Sequence, residues 1–336
     1  MKHLLLTLFF VSLSALLFLG FLAVFIFLPP LQRQQTVEVR VEPGEPFSSI
    51  ARRLKDNDVI PNERLFSLWA RLSAMDKKIR WGLYRFELPL SPREVLNRMV
   101  LGRGLLYRIT IPEGLTVRKI ADLLEKREMA KKGRFLAEAT DPELLSLLGL
   151  DGKGIEGYLF PDTYYFAPFV TERDLLIAMA NQFRVIFNPK MAKQAKRIGL
   201  NLHEVVTLAS LIEKEAGIEA ERPLVSAVFH NRLKYKMPLQ SDPTVIYGLE
   251  HFAGNLTRRD LQSRSPYNTY RIQGLPPGPI CNPGLSSLMA ALYPAPVSYL
   301  YFVSKNDGSH LFSRSLREHN RAVKVYQRGR RRLPRE

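Results

Sequence analysis

Cysteine is almost absent: the 336-residue chain has one, Cys281. A single thiol excludes an internal disulfide framework and any multi-cysteine zinc site. Histidine is scarce too, with six residues. None stand at the i, i+4 spacing of a helical metal site, so a zinc hydrolase is not expected. The fingerprints G-x-x-x-x-G-K-[ST], G-x-G-x-x-G and G-x-S-x-G are missing, which removes support from nucleotide-binding and α/β-hydrolase readings. Acidic residues are in deficit. Lys and Arg number 49 against 32 Asp and Glu, a formal charge of +17. That balance points to an acidic partner: nucleic acid, an anionic membrane surface or an acidic polymer. Apolar residues are not lacking. At 46% hydrophobic and 24% charged the chain can bury a core and is not a disordered one. Its length suits roughly two domains.

From Leu4 to Leu28 run 25 residues without a charge, and about 20 apolar residues span a bilayer as a helix. Pro29-Pro30 stops the run. A secretory signal has a shorter apolar core of ~7–15 residues, and no small-x-small cleavage pattern follows, so an uncleaved anchor is the expectation. Lys2 precedes the span and Arg33 and Arg40 follow it, so the positive-inside rule does not decide the orientation. An anchor this near the N-terminus commonly sends the rest of the chain across the membrane.

Residues 31–36 read as a polar linker. VEVRVEPGEPFSSIARRL then reads as an alternating strand, a Pro-Gly turn and an amphipathic helix, with Ser48 as a helix-start residue. A later stretch, YRITIPEGLTVRKIADLL, repeats the plan, with Pro43 and Pro112 in matching places. The two form a weak internal repeat of a strand–turn–helix unit. Between them Leu65–Leu72 reads as helix and GLYRFELPL as strand. Helices are expected at Asp174–Phe187 and His203–Ala216. The chain beyond Met237 is irregular and rich in Gly, Pro, Asn and Tyr up to Pro296, which in a compact domain points to function. Tyr299–Ser304 is a buried-strand pattern, DGSHLFS a turn into a partner strand, and Ser315–Gln327 a helix before a basic tail.

The sharpest local feature is HEVVTLASLIEKEAG. At about 100° per residue, Val205, Leu208, Ala209, Ile212 and Ala216 form one apolar face, with Thr207, Ser210 and Lys214 opposite. Glu213 falls at one margin of that face and Glu215 at the other. A carboxyl at such a margin is partly desolvated, which raises its pKa and suits a general acid. Periodicity does not choose between the two, and solvated glutamates pairing with Lys214 or Arg222 are the bland alternative. In LQSDPTVIYGL, Gln240, Ser241 and Asp242 precede a helix-starting proline, and Asp242 could cap that helix. SPYNTYRIQGLPPGPICNPG offers tyrosines, asparagines and rigid turns that suit either a sugar-stacking wall or a structural loop.

At these residues the sequence resembles the endolytic murein transglycosylases, the MltG/YceG-like proteins. The segments EGYLFPDTY, ASLIEKEA, NRL followed by MPLQSDPTVIYG, YNTYRIQGLPPGPI, NPG and YLYFV stand in the family's order from Glu156 to Val303. Cys281, where the family usually carries another small residue, is the one departure. The resemblance implies an α+β fold: a membrane anchor at residues 1–30, the linker at 31–36, a LysM-like region at 37–152, a YceG-like catalytic domain at 153–327 and a tail at 328–336. It implies Glu213, first acid of the E-K-E triplet, as catalytic acid, and Glu215 as a neighbour in the site. Glu156, Gln240, Asp242, Tyr267, Asn268 and Tyr270 are implied as groove residues. No cofactor or metal is implied.

The implied reaction is endolytic cleavage of the β-1,4 bond between N-acetylmuramic acid and N-acetylglucosamine, leaving a 1,6-anhydromuramoyl end. It would terminate or trim nascent strands. The implied partners are peptidoglycan glycan strands and penicillin-binding cell-wall synthases, with the chain held in the bacterial inner membrane and its catalytic domain outside the cytoplasm. The alternatives are a muramidase-type hydrolase on the same substrate, a non-enzymatic anchored peptidoglycan-binding scaffold for synthases, and a basic nucleic-acid binder. The anchor and the missing nucleic-acid motifs argue against the last.

Overall fold

A computed structural model describes residues 2–328 except 32, 33, 43, 103, 105, 151, 153, 168 and 169. Pro43 and the basic tail beyond Arg328 therefore lie outside the described residues. Chain contacts divide into two units, residues 1–109 with 165–169 and residues 110–164 with 170–336. Helix and strand mix in both, so the molecule is α+β.

The first unit begins with α1 (Lys2–Phe27). Its segment Phe9–Phe27 has a mean hydropathy of 2.6 and, among the described residues, is the one helix long and apolar enough to cross a membrane. Next come β1 (Gln35–Val41), α2 (Phe47–Asp56), α3 (Glu63–Leu72), β2 (Gly82–Leu88) and α4 (Pro92–Val100). β1 and β2 pair antiparallel, Val39 opposite Tyr84 and Val37 opposite Phe86. Alternation sends Val39, Val41, Tyr84, Phe86 and Leu88 inward, where Ile50, Leu54, Phe66 and Leu96 meet them. Glu38 and Arg85 face outward, an exposed pair 2.7 Å apart. Ser48 does not start α2. Pro46, two residues earlier, holds the cap position without a side-chain hydrogen bond, its φ preset by the ring.

The chain passes between units along a ribbon of β3 (Tyr107–Thr110) and β4 (Thr163–Phe166), which pair with each other. The second unit adds α5 (Val117–Lys126), α6 (Lys132–Glu138), α7 (Pro142–Leu147), α8 (Glu172–Ile186), α9 (Pro189–Arg197), α10 (Leu202–Glu215), α11 (Arg222–Lys234), α12 (Asp242–Tyr247), α13 (Leu285–Leu292), β5 (Tyr301–Ser304), β6 (His310–Ser313) and α14 (Leu316–Val323). β5 and β6 form the expected hairpin, and α14 runs on as a π-helical turn over Lys324–Arg328. Both repeat copies are strand–turn–helix, but β1 and β3 belong to separate sheets.

α10 is the axis of the second unit. It packs on α9, α11, α12 and α13. Asn201 and Glu204 close its start as a capping box. Every residue from Val205 to Ile212 is buried, including Thr207 and Ser210. The side that periodicity marks as polar is thus covered as well. The hydroxyls allow it: Thr207 donates to the His203 carbonyl at 2.7 Å, while Ser210 donates to the Thr207 carbonyl and accepts the Ile280 N–H at 3.0 Å. The irregular segment around Ile280 is what lies on that side.

Candidate active site

Glu213 and Glu215 occupy the last turn of α10 and serve two different clusters. The side chain of Glu213 is 6% exposed. Arg222, at the start of α11, donates from Nη2 to Oε1 at 3.1 Å, and the Gly284 N–H donates to Oε2 at 3.1 Å. Arg222 is itself aimed by its Nε bond to Ser287 Oγ at 3.0 Å. Glu113 approaches the same Nη2, at 3.7 Å, with its side chain 47% exposed. Burial and the charge of Glu213 push the Glu113 carboxyl above its ordinary range, against Arg222.

Two glycines let these groups close up. A Cβ on Gly284 would fall within 1.8 Å of Glu113 Oε1, and one on Gly157 within 2.5 Å of Pro279 and 2.8 Å of Val206. Gly157 also adopts φ +88°, a region that favours glycine.

Behind Gly284, Asn282 is fully buried. Its Oδ1 accepts the Leu159 N–H at 2.8 Å, and its Nδ2 donates to the Leu115 carbonyl at 3.0 Å and to Glu156 Oε1 at 3.1 Å. The backbone groups of Asn282 also bond Gly114 and Leu115. Glu156 therefore stands one layer behind Glu213. It accepts the Val117 N–H at the start of α5 and, at 3.4 Å, the Tyr247 hydroxyl. Burial raises its pKa to about 7. The ring of Tyr267 lies 4.9 Å from that of Tyr247.

Glu215 belongs to the other cluster. The Ser241 hydroxyl donates to its Oε1 at 2.5 Å. Burial raises its pKa to about 7, and the nearby Asp242 charge adds to this against His310 and Arg232. Asp242 is no helix cap; Ser241 holds that place without a side-chain cap bond. Asp242 Oδ1 instead accepts the Tyr270 hydroxyl at 2.6 Å. Gln240, at φ +50°, accepts Arg232 Nη1 at 3.3 Å. Arg232 is buried, donates from Nε to the Leu300 carbonyl and from Nη1 to the carbonyls of Pro238 and Leu239, and sits 5.2 Å over the Tyr301 ring.

Asn268 is fully buried. Its amide donates to the carbonyls of Leu261 and Ser263, and its carbonyl accepts the Tyr270 N–H, so its side chain shapes the turn.

Of the sequence-derived residues, Glu215, Gln240, Asp242 and Tyr270 come together. Glu156 and Tyr267 gather behind the Asn282 segment, and Glu213 stands with groups the sequence reading did not single out: Glu113, Gly284 and Ser287. Only contact reveals them, since they lie far from Glu213 along the chain. Cys281 is buried, and burial holds its thiol protonated. Among the described residues no group of three His, Cys, Asp or Glu side chains is placed to hold a metal.

A model of the YceG-like family matches residues 39–325. A Bacillus subtilis protein named endolytic murein transglycosylase is 35% identical over 307 residues, covering 87% of this chain and 85% of its own length. A Streptococcus pneumoniae protein of the same name is 28% identical, and the match spans 85% of this chain and 58% of that protein. The crystal structure of a yceG-like protein from Listeria monocytogenes superposes with a TM-score of 0.60 at 33% identity, covering 85% of this chain and 98% of that one. The chain thus belongs to the YceG-like family.

Proposed function

We propose that this chain is an endolytic peptidoglycan transglycosylase, a lyase in which Glu213 is the proton donor. The observation that carries the reading is the Glu213 carboxyl itself: nearly buried at the end of a rigid helix, with each oxygen held by a separate donor. The name shared by the relatives adds the substrate class.

Glu213, protonated, gives its proton to the glycosidic oxygen between N-acetylmuramic acid and N-acetylglucosamine. The muramoyl 6-hydroxyl closes on the anomeric carbon, and the Glu213 carboxylate takes the hydroxyl proton. An internal nucleophile carries a high effective molarity, so neither an activated water nor a nucleophilic carboxylate is needed, unlike hydrolytic glycosidases. The product ends in 1,6-anhydromuramic acid. Arg222 and the Gly284 N–H stabilise the carboxylate formed after proton donation. Tyr267 and Tyr270 offer ring faces for sugars, and Gln240 and Asp242 are exposed polar groups in the cluster that holds Tyr270. Asn268 contributes by shaping that turn.

α1 anchors the chain in the inner membrane with the rest outside the cytoplasm, where the substrate lies. The β1–α2–α3–β2 unit acts as a LysM-like holder of glycan, and cell-wall synthases are the expected partners.

The test is a digest of purified glycan read by mass spectrometry. Ends lighter by one water than hydrolysed ends are expected. Glu213→Gln should lose at least ~10²–10⁴-fold in rate while keeping its melting temperature. Retention of a tenth of the wild-type rate, or water-containing ends, would remove the reading.

A further inference from the structure

The proton that Glu213 must donate has a storage problem. Both oxygens of Glu213 already accept a hydrogen bond, one from Arg222 Nη2 and one from the Gly284 N–H. Glu113 shares the same Nη2 of that guanidinium, at 3.7 Å. Two carboxyls around one arginine carry an excess negative charge, and one proton neutralises it. Glu113 has the better claim on that proton at rest. It has the longer contact to Arg222, and burial first, then the Glu213 charge, raises its pKa. It is also the more accessible of the two, 47% exposed against 6%, so it meets solvent protons first.

We infer that Glu113 is a positioning carboxyl of this site: it holds the proton while Glu213 is paired with Arg222, and passes it to Glu213 as Arg222 changes partner. The exchange balances. Before it, Glu113 is neutral and Glu213 ionised; after it, the roles are reversed, with Arg222 cationic throughout, so the net charge of the three groups stays at zero. After the 6-hydroxyl proton has returned to Glu213, the pair resets by the reverse step. The other charged groups facing the pair are few. Glu219, before α11, adds negative charge to Glu113. Lys214, on α10, has its Nζ 3.4 Å from the Gly114 carbonyl. Glu156 is set back behind Asn282. The inference rests on Glu213 being the acid.

The experiment is kcat/KM against pH for the full chain in detergent, on purified glycan strands, for the wild type, Glu113→Gln and Glu213→Gln. Without Glu113, the proton has no second carboxyl to wait on beside Arg222. The high-pH limb of the Glu113→Gln profile should move to lower pH by about one unit, a tenfold loss on that limb that acid restores. A role confined to packing would lower the rate equally at every pH, and that result, or an unmoved profile, overturns the inference. If Glu113→Gln does not fold, Glu113→Asp decides. Its withdrawn carboxyl should move the limb part of the way, and a uniform loss again overturns the proposal. Activity in Glu213→Gln would instead remove Glu213 as the acid, whatever Glu113 does.

Discussion

The side chain of Asn282 ties Leu115, Glu156 and Leu159 to the segment that carries Gly284. At the scale of single residues the site depends on such ties, because an acid misplaced by an ångström loses much of its effect. Gly284 is the tightest point. A methyl group there would overlap the Glu113 carboxyl, so Glu113 or the backbone must move, and the N–H that Glu213 accepts moves with it. Gly284→Ala should therefore cut turnover by at least about tenfold, with a smaller effect on the melting temperature. Wild-type turnover in a folded Gly284→Ala protein would show that the N–H contact is dispensable.

At the scale of elements, α10 presents two acids to two neighbours. Glu215 is the one tied to α12, through Ser241. Its folded pKa is about 7 against an ordinary value of 4.5. The folded state therefore binds its proton more tightly than the unfolded chain does, and the sign follows. The stabilisation is complete below about 4.5 and is lost as pH rises through about 7. Glu156, raised to about 7 by burial, acts in the same window. Glu215→Gln keeps the Ser241 bond without the charge. It should raise the melting temperature at pH 8 by about 2–4 °C, narrow the fall in stability between pH 5 and 8, and leave most of the activity in place. Thermal melts across that range read the effect. A lowered melting temperature at pH 8 would mean that the ionised carboxylate is the form the fold prefers.

At the scale of the whole molecule, α1 and the proposed catalytic groups belong to different contact units. A chain starting near Gln35 should be soluble and still cut isolated glycan. Early products should be a spread of internal fragments with anhydro ends, and removal of residues 37–104 should change their length or weaken binding without changing the end chemistry. Chromatography of early digests checks this. Single disaccharides released from chain ends at the first time points would mark an exolytic enzyme, and an inactive but folded soluble form would mean that membrane completes the site.

Local pattern was enough for much of this protein. The apolar run before Pro29-Pro30, the alternation of β1 and β2, the β5–β6 hairpin and the span of α10 follow from short-range periodicity and turn chemistry, and are legible without neighbours. Periodicity left Glu213 and Glu215 equal, and only the family resemblance singled out Glu213 as the candidate acid. What the sequence could not say is which groups meet it. A helix with Thr207 and Ser210 on one side reads as amphipathic, yet α10 is buried all round because distant hydroxyl and N–H partners satisfy those groups. Asp242 reads as a cap and is instead the acceptor for Tyr270. Glu113, Arg222 and Gly284 converge on one carboxyl from three separate segments. Such contacts arise only when the chain folds, since hydrogen bonds and ion pairs depend on distance in space and carry no period along the sequence.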